Sequence, residues 1–113
     1  MTKQSSKGYK LHTGAIFQVE KAIVVKVRDL QPGDVYRYSW SEDGDDLYKV
    51  YGHDAHDKDS KLVDVLVVDV IASQTDALRN KRHYIDIENT TIGNEEVELV
   101  GKYDANWELQ PIR

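Results

Sequence analysis

The chain of 113 residues has no cysteine, one methionine, one phenylalanine and two prolines. Without cysteine there can be no disulfide, no thiolate metal site and no thiol nucleophile, and nothing calls for an oxidising compartment. No apolar run approaches the roughly 18 residues of a membrane-spanning helix. The opening Met1-Thr-Lys-Gln-Ser-Ser-Lys-Gly8 has no apolar stretch like that of a secretory signal. A cytoplasmic setting is therefore expected. A glycine-rich phosphate loop is also missing, as is a strand–turn–helix nucleophile elbow around any serine. Carboxylate pairs such as Glu42/Asp45 and Glu95/Glu96 fall in segments that read as exposed turns, where burial cannot retune them. No catalytic residue and no cofactor is expected.

What is present is a modest apolar fraction, 40%, beside 31% charged residues and a formal charge of −5. A chain of this size buries roughly two-thirds of its extended surface, enough for one unstapled core. The charge is uneven. Residues 1–28 carry Lys3, Lys7, Lys10, Lys21, Lys26 and Arg28 against Glu20, a balance of +5. Residues 41–70 carry nine acids against Lys49, Lys58 and Lys61, a balance of −6. An acidic middle repels phosphate, which disfavours general nucleic-acid binding.

Residues 1–10 are polar, small and aperiodic, and read as a flexible arm preceding a single domain over 11–113. From Ala15 to Val27 the β-branched content and the alternation of Ile23, Val25 and Val27 favour two strands with a kink near Glu20-Lys21. Pro32-Gly33 spells a type II turn. Val35–Trp40 and Leu47–Tyr51 form a hairpin around an acidic turn at Ser41–Asp46, with Tyr36, Tyr38 and Trp40 on one face and Arg37 and Ser39 on the other. A polar loop over 52–61 leads to the strand Leu62–Ile71. There Asp64 and Asp69 have opposite parity, and a bulge near Leu66–Val68 would bring them to one side. Ser73-Gln-Thr-Asp76 resembles a capping box, predicting a short helix near 74–80. Tyr84–Glu88 and Glu96–Val100 alternate as strands around a turn at Asn89–Asn94, and Trp107 and Leu109 stand at strand spacing before Pro111.

The fold expected is mostly β: one small barrel or sandwich of about six or seven antiparallel strands, with one short helix and a flexible N-terminal arm. The segment Val27-Arg-Asp-Leu-Gln-Pro-Gly-Asp-Val35, its aromatic hairpin, and the closing Glu95-Glu-Val-Glu-Leu99 resemble small Src-homology-3-like barrel proteins often encoded by bacteriophages. The resemblance covers about residues 25–100. It implies a barrel and a phage or mobile-element origin, and carries no catalytic residue with it.

Three groups of residues are candidates for function. Tyr36, Tyr38 and Trp40 read first as the core side of the hairpin. Beside the acids Glu42, Asp43, Asp45, Asp46, Asp54 and Asp57 they also supply an anchor and electrostatic steering for a partner protein. Arg79, Lys81 and Arg82 form a basic knot that decorates a helix C-terminus or touches phosphate. His53 and His56, with Asp54, Asp57 and Asp59, are weak metal candidates; a solvated loop is preferred, since the spacing matches neither a structural zinc site nor a calcium loop. The expected role is a non-enzymatic protein-binding module, an accessory protein that binds or inhibits a host or virion protein. The alternatives are a nucleic-acid-binding barrel and a structural, oligomeric virion component.

Overall fold

A computed structural model describes residues 7–41, 44–58, 61–73 and 81–113; at 39–41, 44–45, 56–58 and 61 it describes the backbone. Nine strands and one short helix are found among these residues: β1 (Gly8–Lys10), β2 (Ile16–Gln18), β3 (Ile23–Lys26), β4 (Asp34–Ser41), β5 (Gly44–Lys58), β6 (Lys61–Ala72), β7 (Arg82–Asp86), α1 (Thr90–Gly93), β8 (Glu96–Tyr103) and β9 (Leu109–Pro111). All pairings are antiparallel. The main sheet runs β3-β8-β4-β5-β6-β7, with β9 extending the β3 side of β8 beyond the end of β3; β1 and β2 pair only with each other. The chain is mostly β, as its alternation predicts.

Two cores lie on the two faces of this sheet. The inner one gathers Leu30, Tyr36, Val50, Leu66, Val68, Val70 and Val97, with Val25 from one edge strand and Ile85 from the other packed against it. Edge strands that share a core must curl toward each other, so the sheet is rolled as in a small barrel. No ladder joins β3 to β7 among the described residues. Instead, α1 lies in the seam against β7 and the 3-10 turn Val27–Asp29. The outer core gathers Val35, Leu47, Ala72 and Val100 under Tyr9, Phe17 and Val19, so the β1–β2 hairpin caps the outside of the sheet.

Several local features follow from individual residues. Gly33, at φ 90°, occupies the second central position of a type II turn closed by the Asp34 amide to the Gln31 carbonyl at 3.0 Å. Its backbone is clamped on both sides, donating to the Val50 carbonyl and accepting from the Tyr103 amide, each at 2.9 Å. Asn89 caps α1, its side-chain oxygen accepting from the Thr91 and Ile92 amides. A helical turn thus stands where alternation suggested only a reverse turn.

The structure corrects the sequence reading at five places. The flexible arm expected over 1–10 is contradicted at Gly8–Lys10, which is paired because Tyr9 finds an apolar surface to cover. The expected acidic turn at Ser41–Asp46 is mostly strand, with Ser41 paired to Gly44 and Asp46 to Tyr38. Of the polar loop expected at 52–61, residues 52–58 and 61 are strand, with Lys58 paired to Lys61. The bulge sits on β5, where Tyr51 is the extra residue opposite Val67–Val68; β6 is regular from Asp64 to Asp69, which keeps those aspartates on opposite faces. Finally, Trp107 is in a turn outside β9, and Pro111 is the last residue of that strand. The helix expected near 74–80 lies outside the described residues.

Candidate binding surfaces

The aromatic stripe of the hairpin points inward. Tyr36 is 3% exposed and stacks on Tyr48, ring centroids 5.2 Å apart and 17° from parallel. Burial, then the neighbouring Tyr48 and Glu95, push the Tyr36 phenol well above its ordinary range. Burial and the Asp46 carboxylate push Tyr48 up to about 12. Tyr38 is half-buried, and a hydrogen bond to Glu95 raises it too. These phenols stay neutral and protonated across the physiological range. Tyr36 therefore cannot anchor a partner at the surface, while Tyr38 stands at the edge. Trp40 falls among the positions described by backbone alone.

The acidic set is likewise redistributed. Asp46 is 4% exposed and is no steering charge. Asp54 is exposed, and its carboxylate accepts from the Ala55 amide at 2.8 Å. Asp45 and Asp57 occupy strand positions in β5, and Glu42 and Asp43 lie outside the described residues.

Of the weak metal candidates, His53 is spoken for. Its Nε2 donates to the Leu30 carbonyl at 3.1 Å, tying β5 to the turn that follows β3. Positions 53 and 56 have opposite parity in a regular strand, so the fold does not gather them as a loop would have done. Among the described residues no three His, Asp or Glu side chains converge.

Within the basic knot, Arg79 lies outside the described residues and Lys81 is exposed. Arg82 is engaged: its guanidinium meets both oxygens of Asp69, its register partner on β6, at 2.8 and 3.1 Å, and lies 4.3 Å from the Tyr51 ring centroid. The carboxylate holds the guanidinium above its already high ordinary value. Arg37, expected on a polar outer face, is 8% exposed under the β1–β2 hairpin.

Two concavities are formed by described residues. The first is in the seam of the rolled sheet, with a volume of about 220 Å³. Val27 and Val97 line one side, and Val68, His83 and Ile85 the other. Tyr36 and Tyr48 close its inner end; Tyr38, Ile92 and Glu95 stand toward solvent.

The second is an outer groove of about 510 Å³, between the Pro32-Gly33 turn, Lys49 and Tyr51 of β5, and the Tyr103–Trp107 stretch. Trp107 is 77% exposed at φ 61°, a left-handed conformation uncommon for a bulky residue. The surrounding turn over-determines that backbone. The Trp107 amide donates to the Asp104 carbonyl at 3.0 Å, and the Asp104 amide to the Glu108 carbonyl at 2.9 Å. The Asp104 carboxylate accepts from the Asn106 and Glu108 amides and from Gln110 Nε2. The Glu108 amide leads in holding that carboxyl below its ordinary range. The Lys49 ammonium lies 4.5 Å from the Tyr103 ring centroid and 5.4 Å from that of Trp107, so one cation sets both rings around the groove.

Trp107 was missed as a site residue because strand spacing with Leu109 assigned it to a ladder. The signal that could have found it is Asp104-Ala-Asn-Trp107, an aspartate and asparagine in the pattern of a tight turn. No protein-family model, curated protein or solved structure matches the chain.

Proposed function

We propose that this chain is a non-enzymatic binding module that engages another protein through the outer groove, with Trp107 as its anchor. One observation carries the reading: a tryptophan largely in water, held in a strained backbone conformation by a turn whose Asp104 carboxylate accepts three hydrogen bonds. Strained, over-determined residues concentrate at functional sites, and tryptophan, tyrosine and arginine dominate the energetics of protein interfaces. Tyr51, 61% exposed at the β5 bulge with Arg82 over its ring, extends the same surface. The exposed Asp54 and the net −5 charge add steering toward a basic partner surface.

A nucleic acid would also stack on such rings, but Arg82 is already bidentate to Asp69, and among the described lining residues of the groove Lys49 alone is a cation.

The test is affinity capture with the chain and its Trp107→Ala variant on parallel matrices, with mass-spectrometric identification of what each retains. The expected result is a protein whose retention falls roughly tenfold or more on Trp107→Ala and survives nuclease treatment. Identical retention by both matrices overturns the reading, as does retained material that is nuclease-sensitive and lost with moderate salt.

A further inference from the structure

The seam cavity shares no lining residue with the outer groove, and its chemistry is different. Three tyrosine rings, Tyr36, Tyr38 and Tyr48, and the His83 imidazole contribute aromatic surface to it. His83 stands edge-on to Tyr48, centroids 6.1 Å apart at 76°, and its Nε2 is buried with no hydrogen-bond partner. Glu95 is the sole formally charged lining residue; neither lysine nor arginine contributes to the wall among the described residues. The Tyr38 hydroxyl hydrogen-bonds the Glu95 carboxylate and so fixes the charge near the cavity's open end.

We propose that this cavity receives an alkylammonium group, the side chain of a lysine carried by a partner protein. Each polar feature of the wall selects for it. Aromatic faces attract a cation through their quadrupole and exclude nothing apolar, which suits a butyl chain ending in a charge. The Glu95 carboxylate, with no lysine or arginine beside it among the described lining residues, pairs with an ammonium and repels an anion. In the tautomer protonated at Nδ1, the buried His83 Nε2 can accept from an N–H donor, which a neutral alkyl guest does not supply. The volume of about 220 Å³ suits one side chain rather than a multiply charged free polyamine, for which a single carboxylate offers one counter-charge.

This inference stands independently of the role of Trp107. It is tested on the full chain by nuclear magnetic resonance titration with N-acetyl-lysine methylamide, N-acetyl-norleucine methylamide and spermidine, following the His83, Tyr38 and Tyr48 ring signals. The lysine compound is expected to give saturable shifts confined to these rings, binding roughly tenfold more tightly than its norleucine counterpart, which has the same four carbons and no ammonium. Glu95→Gln, at an exposed position, is expected to weaken it several-fold with the remaining spectrum unchanged. Tyr38→Phe, which frees the Glu95 carboxylate from its phenol, is the second variant and is expected to alter affinity in the same assay. Equal binding of lysine and norleucine compounds overturns the proposal, as does absence of cavity shifts. Full affinity in a folded Glu95→Gln, or tighter binding of spermidine, overturns it as well.

Discussion

Arg37 and Glu98 face each other across β4 and β8 and meet through two hydrogen bonds, Nε to Oε1 at 3.2 Å and Nη2 to Oε2 at 3.1 Å. The third arm of the guanidinium, Nη1, donates to the Tyr9 hydroxyl at 3.1 Å. One cation thereby joins the sheet to the hairpin that covers it. Burial works against the charge, but the Glu98 and Tyr9 hydrogen bonds outweigh that cost and hold Arg37 above its ordinary value.

Removing the Tyr9 hydroxyl alone, in Tyr9→Phe, is expected to cost about 1 kcal/mol, the usual net worth of one internal hydrogen bond. Arg37→Ala also forfeits the buried aliphatic stem, and about 2–4 kcal/mol is expected, toward the lower end because Glu98 is itself half in water. Urea unfolding midpoints check both, and amide exchange in β1 and β2 should accelerate ahead of that in β5 and β6.

Gly101 tests how closely the hairpin and β9 approach β8. A Cβ there would meet Phe17 Cζ at 2.9 Å, the Gln110 carbonyl at 3.0 Å and Leu109 Cδ1 at 3.1 Å. Gly101→Ala is expected to destabilise by about 1–3 kcal/mol through overpacking. Gly52→Ala, which meets nothing within 4 Å, is the control and should change stability little. Thermal unfolding of the two variants side by side decides the matter.

Trp107 sets stability against binding. Its left-handed backbone suits glycine, so Trp107→Gly relieves strain while losing the contact with Lys49. The expected outcome is unchanged or slightly raised stability, within about 1 kcal/mol, together with loss of partner capture. A variant that loses binding and also unfolds would make Trp107 a structural residue.

Asp104 gives the same turn a pH dependence whose sign is fixed. Its carboxyl is held below 3.8 in the folded chain, chiefly by the Glu108 amide. Its contribution to the turn is therefore full above the ordinary carboxylate range and is lost as pH falls through the lowered value. The Trp107 indole resonance should keep its shift down to about pH 4 and move toward the unstructured value below it. In Asp104→Asn that acid transition should be absent.

Much of the sheet could be read from residue order, and what could not shares a cause. Alternation located β3, β4, β7 and β8, and Pro32-Gly33 located the type II turn, because these depend on neighbours in sequence. Side-chain exposure depends on what arrives later from elsewhere in the chain. Arg37 looked like a surface residue until Tyr9 and Phe17 were placed above it, and Asp46 looked like a turn acid until β4 reached Ser41. His53-Asp-Ala-His-Asp-Lys58 is polar enough for a loop, yet pairing with Leu62–Leu66 makes it strand. The basic knot and the acidic segment are brought together by the cross-strand partners Arg82 and Asp69, so charges counted separately along the chain partly neutralise each other in space. Neither concavity was legible, since one forms at the meeting of sheet edges and the other around a turn that ends at Trp107, where spacing with Leu109 suggests strand.

The hairpin laid over the outer face also sets an order of events during synthesis. Gly8–Gln18 is synthesised before the surface it covers, which combines Val35, Leu47, Ala72 and Val100. That surface is complete only when β8 has been made, so Tyr9 and Phe17 stay without their native cover until then. Closure over so long a span slows folding and leaves early apolar groups open to other contacts. A nascent chain stalled before Val100 should accordingly be protease-sensitive across Gly8–Gln18, while one in which Arg113 has cleared the ribosome should be protected there.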